Sequence, residues 1–404
     1  MRGQTKFYYL DLHPDTVASS GVRYQRRNLL RWGPARCFYK DDLYTLKLAN
    51  WSTDQIERHF FGAIDSRGQK AVEHFAEYDH FGEGAQEAYR ALPQYMDAQR
   101  FRTPRGLDWL KSVINLENDA FTLLAMQQLF QFHTTMWMEG EWEIVRARKS
   151  RTKFIVTDEP VTFFNAKVFP GSKDCRYPGD VGLDKIGTRT LFPLGLDACL
   201  IITHTQLVRN PWANLLQSRL NARSYQDTIK GLTDTQFGRE LEEEEVLRIN
   251  LILKCRATRY LAAAEEDWLY PEQRASTTHW SKLDDDWFLL PHLWKVQFTT
   301  GFVVGYQDGS RFAMDEYGLP PGHPEYANKR RAEKEWDLHQ RAQRAWARKR
   351  AGRSVAHVDD AMKSDRVGDE LMRKYLQGIR PRPKPRGQPA DADLRIDRRP
   401  SPQS

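Results

Sequence analysis

Two carboxylates stand side by side at Asp158 and Glu159, directly after the apolar run Phe154-Ile155-Val156-Thr157 and directly before Pro160. A buried strand that ends there would present both groups at its edge, where a divalent cation takes oxygen ligands. Earlier in the chain Arg102 and Arg105 flank Thr103-Pro104, and guanidinium groups recognise carboxylates and phosphates through paired hydrogen bonds. Brought together, Asp158, Glu159 and Arg102 would make a catalytic centre for metal-assisted hydrolysis of a phosphodiester. Asp158 would be the metal ligand, magnesium or manganese the cation, and Arg105 an anion-binding group. Asn250, between Ile249 and Leu251 on an apolar helix, is a further candidate binding residue, because a buried amide must find partners.

Each of these residues has a plainer reading. An aspartate before Glu-Pro at a strand end can bond backbone groups in a turn. Arg102 and Arg105 can pair with carboxylates such as Asp65 or Asp108, and Asn250 can clamp the core. Other chemistries find less support. His133 lies among Phe130, Phe132 and Trp137 and reads as a packed helical histidine rather than a base or ligand. His59, His74 and His80 lack the HExxH arrangement of a zinc protease, and no GxxxxGK[ST], GxGxxG or GxSxG string occurs, which argues against the common nucleotide-driven motors, dehydrogenases and serine hydrolases. The cysteines Cys37, Cys175, Cys199 and Cys255 are scattered without CxxC spacing and read as free thiols.

The elements that would position these groups follow from periodicity and turn chemistry. Lys6–Leu10 and Ala35–Tyr39 read as strands. Ser52 to Gln55 has the form of a capping box before a helix carrying Ile56, Phe60, Ile64, Ala71 and Phe75 on one face. A second helix over Ala88–Phe101 should stop at Thr103, since proline disfavours helix in the residue before it. Thr103 can then cap a third helix, with Pro104 at its first position, that runs to about Met138. A half-exposed strand at 142–148 and a buried one at 153–157 would form a hairpin, with a second strand pair at 188–192 and 198–203. A long helix follows Glu242–Glu245, and a hairpin turns at Asp308-Gly309. The expected architecture is α+β: a helical unit with a small, mainly antiparallel sheet. It would form one domain over 1–325, helix-rich at 50–140, strand-rich at 141–205, helical at 240–263 and a hairpin at 295–315.

The net charge of +7 is unevenly placed. Residues 328–404 carry 21 Lys and Arg against 11 Asp and Glu, whereas the preceding 327 carry 40 against 43. Residues 326–404 therefore read as a basic tail. It opens with an exposed charged helix with a thin apolar stripe at Lys329–Arg350, followed by a short helix near 365–376. From Gly378 the proline- and cation-rich run reads as disordered. Such a tail suits a nucleic acid or other polyanion. No run of eighteen apolar residues and no signal-peptide pattern occurs, so a soluble cytoplasmic protein without a membrane partner is expected.

The order of several short strings resembles a bacterial family, domain-of-unknown-function family 4238. The strings are Asp41-Asp42-Leu43-Tyr44, Ile56-Glu57, Ile64-Asp65, Arg102-Thr103-Pro104, Trp142, Thr157-Asp158-Glu159-Pro160, Phe192-Pro193-Leu194, Arg248-Ile249-Asn250 and Arg259-Tyr260, together spanning roughly 35 to 265. Members of that family usually open with a His-x-x-Pro signature that His13-Pro14 does not match, and carry Asn where this chain has Glu159. The opening segment is expected either to precede the given start or to be lost in this branch. Two function classes stay open. One is a non-catalytic binding protein that recognises a protein or nucleic acid and needs no cofactor. The other is a metal-dependent hydrolase or nuclease, in defence or a toxin system, built on Asp158 and Glu159. The first is preferred, because one acidic pair is little ground for an active site.

Overall fold

The computed structural model describes residues 6–19, 22–33, 38, 46–48, 51–53, 62–103, 105–106, 108, 133–175, 180–219, 234–296, 298, 301–305, 309–315 and 319–350. The fold is α+β. Its central layer is a five-stranded sheet of β7 (Gly140–Arg146), β9 (Thr162–Phe164), β10 (Arg189–Pro193), β11 (Ala198–His204) and β12 (Gln236–Glu240), in the order β12-β7-β11-β10-β9. All its pairings are antiparallel except β12 with β7.

Side chains alternate across a strand, so one strand can serve two cores. Trp142, Ile144, Leu200 and Ile202 face the helices α1 (Gly62–Ala76) and α2 (Ala85–Phe101), packing with Phe75, Tyr89, Leu92 and Met96. Val145, Cys199, Ile201 and Leu191 face the other way, onto Val246, Ile249 and Leu253. The strand expected to be half exposed at 142–148 is therefore buried along its length from Gly140 to Arg146. Its charges are matched inside. Glu143 takes a two-pronged pair from Arg239 at 2.7 and 2.7 Å, and Arg146 donates to the carbonyls of Ala76 and Tyr78.

A second sheet, of β1 (Phe7–Asp11), β4 (Leu29–Trp32), β8 (Val156–Thr157) and β13 (Tyr260–Ala263), has the order β4-β1-β13-β8. The hairpin expected between 142–148 and 153–157 does not form, because β8 pairs with β13 instead. A distant acid diverts the chain. The Glu243 carboxylate accepts from Ser150 Oγ at 2.5 Å, from the Thr152 N–H at 3.0 Å and from the Thr152 hydroxyl, and pairs with Arg274 at 2.5 Å. Burial alone would raise its pKa, but the Ser150 and Thr152 hydrogen bonds and Arg274 outweigh it and bring it down to about 2.

Among the described residues, further α-helices are α3 (Thr134–Met138), α4 (Thr205–Arg209), α5 (Glu243–Arg256) and α6 (Lys329–Arg350). A capping box formed by Glu242 and Glu245 starts α5 as its acidic run predicts. That helix stops at Arg256, so the last residues of the helix expected over 240–263 belong to β13. Short hairpins join β2 (Thr16–Ser19) to β3 (Val22–Gln25), β5 (Leu46–Leu48) to β6 (Trp51–Thr53) and β14 (Gly301–Gly305) to β15 (Arg311–Asp315). Ser52 and Thr53, expected to cap the first helix, lie in β6. Gly309 after the last hairpin turn has φ 82°, a conformation that favours glycine.

The described residues up to Arg350 belong to one compact unit. The helix α6, expected to open a tail, is docked on the body through Ala342 and Trp346. Among the described residues no helix is long and apolar enough to cross a membrane. Cys175, Cys199 and Cys255 are free thiols. The strand expected at 35–39 apart from Phe38, most of the helix expected from 104 to 132, Cys37, and everything after Arg350, including the segment from Gly378, lie outside the described residues.

Candidate functional site

The two bends that carry the candidate residues do meet. α2 stops at Phe101, before Thr103-Pro104, as the sequence predicts, and Thr103 Oγ1 accepts from the Gly106 N–H at 3.0 Å, the bond of a helix N-cap. The same hydroxyl lies 3.1 Å from the Arg100 carbonyl and 3.4 Å from Glu159 Oε2. Thr258 Oγ1 donates to Glu159 Oε1 at 3.0 Å, and Arg105 Nε stands 3.9 Å from the same oxygen. Arg105 also donates to the carbonyl of Arg256, the last residue of α5, at 3.3 Å.

Behind Glu159 lies a second carboxylate held between two cations. Asp180 pairs with Arg100 and, at 2.5 Å, with Arg256. The Arg100 guanidinium lies 3.9 Å over the centroid of Phe163. Burial works to raise the Asp180 pKa, but Arg100 and Arg256 reverse that and hold it below the usual value. Glu159 goes the other way. It is 5% exposed, and burial pushes its carboxyl up to about 7 against the opposing pull of Arg105 and Arg100.

A proton held in the folded state and released in the unfolded one links Glu159 to pH. Its ordinary value is 4.5, so between there and about 7 the folded protein binds more protons, and stability falls as pH rises. Glu159→Gln is expected to remove roughly 3 kcal/mol of that fall and to make the variant the more stable protein above neutrality. Urea titrations at pH 5 and pH 8 check this. An equal change in both proteins would contradict it.

Asp158 stands beside Glu159 but does a different job. Its Oδ1 accepts from the Thr258 N–H at 2.9 Å, and its Oδ2 from the Arg259 and Tyr260 N–H groups at 2.7 and 3.0 Å. The carboxylate thus closes the turn between α5 and β13, where a backbone carbonyl would otherwise be needed. Arg102 turns away from both acids and takes Asp65 of α1 at 2.7 and 2.8 Å, one of the two partners its plainer reading names. Asn250 accepts from the Ile155 N–H at 3.2 Å and donates to the Lys153 carbonyl at 2.8 Å, so it clamps the segment before β8 to α5. Arg102, Asp158 and Asn250 hold three separate sets of partners.

Sequence reasoning missed Arg100, Asp180 and Arg256. Helical spacing could have found two of them. Arg100 is four residues beyond the buried Met96, and Arg256 four beyond the buried Ile252. Asp180, in an irregular segment, carries no such signal. His133 packs against Phe101, Trp137 and Phe163, and its Nδ1 lies 2.9 Å from Asp97 Oδ1. Among the described residues no group of three or more His, Cys, Asp or Glu side chains is arranged to hold a metal ion.

A different surface gathers charge without absorbing it. Asn328 caps α6, its Oδ1 accepting from the Arg331 N–H at 3.2 Å. The inner face of α6 buries His339, Ala342 and Trp346 against Leu207, Val208, Leu290, Leu293 and Val296. His339 Nε2 donates to the Leu293 carbonyl at 2.9 Å, Lys349 donates to the Asp285 carbonyl at 2.7 Å, and Arg350 pairs with Glu245 of α5 at 2.5 Å. Burial keeps the His339 pKa below its usual value, which favours the neutral imidazole at the centre of the docked face. On the outer face Arg330, Lys334, Arg341, Arg344 and Arg348 are all exposed. Their spacing sets them in one row about 27 Å long, interrupted by Asp337.

No family model, curated protein or solved structure matches the chain. Its function has to be read from its own charges and surfaces.

Proposed function

We propose that the protein is a non-catalytic binding protein whose ligand is a nucleic acid, held through its phosphates. The observation that carries this reading is the outer face of α6. Five cations stand in a row on a helix whose inner face is fixed to the body, so binding would not have to order the helix that carries them. The sequence after Arg350 adds further Lys and Arg. The carboxylates at 158 and 159 support the same choice from the other side. Asp158 is engaged with three backbone N–H groups, and Glu159 lies against Arg105 and two threonines.

Kinship with domain-of-unknown-function family 4238 belongs to the same proposal. Four of the strings that resemble it make two pairs of contacts. Asp65 pairs with Arg102, and Asp158 holds the backbone of Arg259-Tyr260. In this reading the strings carry architecture rather than catalysis.

Phosphate contacts release counterions, so affinity should fall with salt. Five contacts on a single strand correspond to a log–log slope of about −3.5. Titration of the full chain into a labelled oligonucleotide over a range of salt concentrations tests the proposal, and a slope near zero would refute it. Magnesium or manganese added to the same mixtures is expected to leave the oligonucleotide uncut. Metal-dependent cleavage would favour the hydrolytic alternative.

A further inference from the structure

The last turn of α6 reaches an aromatic pair through Lys349. Trp212, in the loop after α4, is 52% exposed, and its ring meets Trp287 edge-on at 5.5 Å and 73°. Trp287 has φ 59°, the left-handed region that a bulky side chain adopts only when its surroundings hold it there, and such residues gather at ligand-binding positions. The turn is held by the Trp287 N–H on the Asp284 carbonyl at 3.0 Å and the Leu290 N–H on the Trp287 carbonyl at 3.1 Å. Lys349, which follows Arg348 in the sequence and is held on the body by the Asp285 carbonyl, places its ammonium 5.1 Å from the Trp287 ring centroid.

An indole of which half is open to solvent, braced by a second ring that in turn carries a cation, is a platform on which an unpaired base stacks. A duplex offers no such partner, because its base faces are already covered by one another. We infer that the preferred ligand is single-stranded nucleic acid, with a base on Trp212 and the neighbouring phosphates along α6. The inference rests on the nucleic-acid reading above and specifies the form of the ligand.

The test compares full-length wild type, Trp212→Ala and Trp212→Phe in binding a labelled oligothymidylate of about 15 nucleotides and a duplex of the same length. Wild type is expected to prefer the single strand by about tenfold. Trp212→Ala should lose about that factor on the single strand and nothing on the duplex, while Trp212→Phe, which keeps a ring, should retain most of the preference. Equal binding of both forms by wild type, or a Trp212→Ala variant that binds the single strand as wild type does, would overturn the stacking inference alone. Binding of neither form would overturn the nucleic-acid reading together with it.

Discussion

Replacing Lys334, Arg341 and Arg344 together by glutamate is expected to weaken oligonucleotide binding by about a hundredfold at roughly 0.1 M salt. All three side chains are exposed on the outer face of α6. Reversal turns three attractions for phosphate into three repulsions, and the salt dependence should flatten with them. The helix itself should stay docked. Its hold on the body comes from His339, Ala342, Trp346 and Arg350, and surface changes of this kind cost about 0.5 kcal/mol or less each. Fluorescence anisotropy and a thermal melt of the same preparation check both halves. An unchanged affinity would remove α6 from the binding surface.

The second large effect lies in the fold. Asp158→Ala is expected to destabilise the protein by roughly 3 kcal/mol, because three N–H donors at Thr258, Arg259 and Tyr260 lose their acceptor and each stranded donor costs about 1–3 kcal/mol where water is kept out. The half-buried position of this turn keeps the total near the lower end. Burial raises the Asp158 pKa even with three backbone donors working against it, so part of the loss is offset by relief of that desolvation. Asp158→Asn keeps one acceptor oxygen and should cost less than the alanine. Chemical denaturation measures the stability of both variants. Asp158→Asn is also expected to bind oligonucleotide like wild type. A variant of full stability that had lost a metal-dependent cleavage would point to the hydrolase instead.

Where the chain obeys local rules, its sequence was readable. The stop of α2 before Thr103-Pro104, the acidic start of α5, and the pairing of β10 with β11 all follow from capping chemistry and alternation within a few residues. The failures share a cause in distance along the chain. β8 leaves its expected partner because Glu243 and Asn250, more than ninety residues later, capture the turn and the segment before it. The strand at 140–146 is buried because helices cover both of its faces, and its charged residues find partners from other elements. The docked face of α6 is thin in the sequence because it rests on a neutral histidine and an alanine at its centre, with one tryptophan beside them.

The candidate site was legible in the same proportion. The approach of the two bends, with Thr103 3.4 Å from Glu159, was a condition that the residues left open, whereas the bends themselves were expected from turn chemistry. Which arginine faces inward was not, because the choice between Arg100 and Arg102 depends on the phase of α2 against its neighbours. The pair Arg102 to Asp65 and the pair Arg100 to Asp180 are made on different sides of one helix end.

Ultraviolet cross-linking of the full chain to a single-stranded oligonucleotide, read by mass spectrometry, tests the central claim most directly. The account predicts cross-linked peptides from α6 and from the loop that carries Trp212. Cross-links confined to the sequence beyond Arg350, with α6 unlabelled, would contradict it.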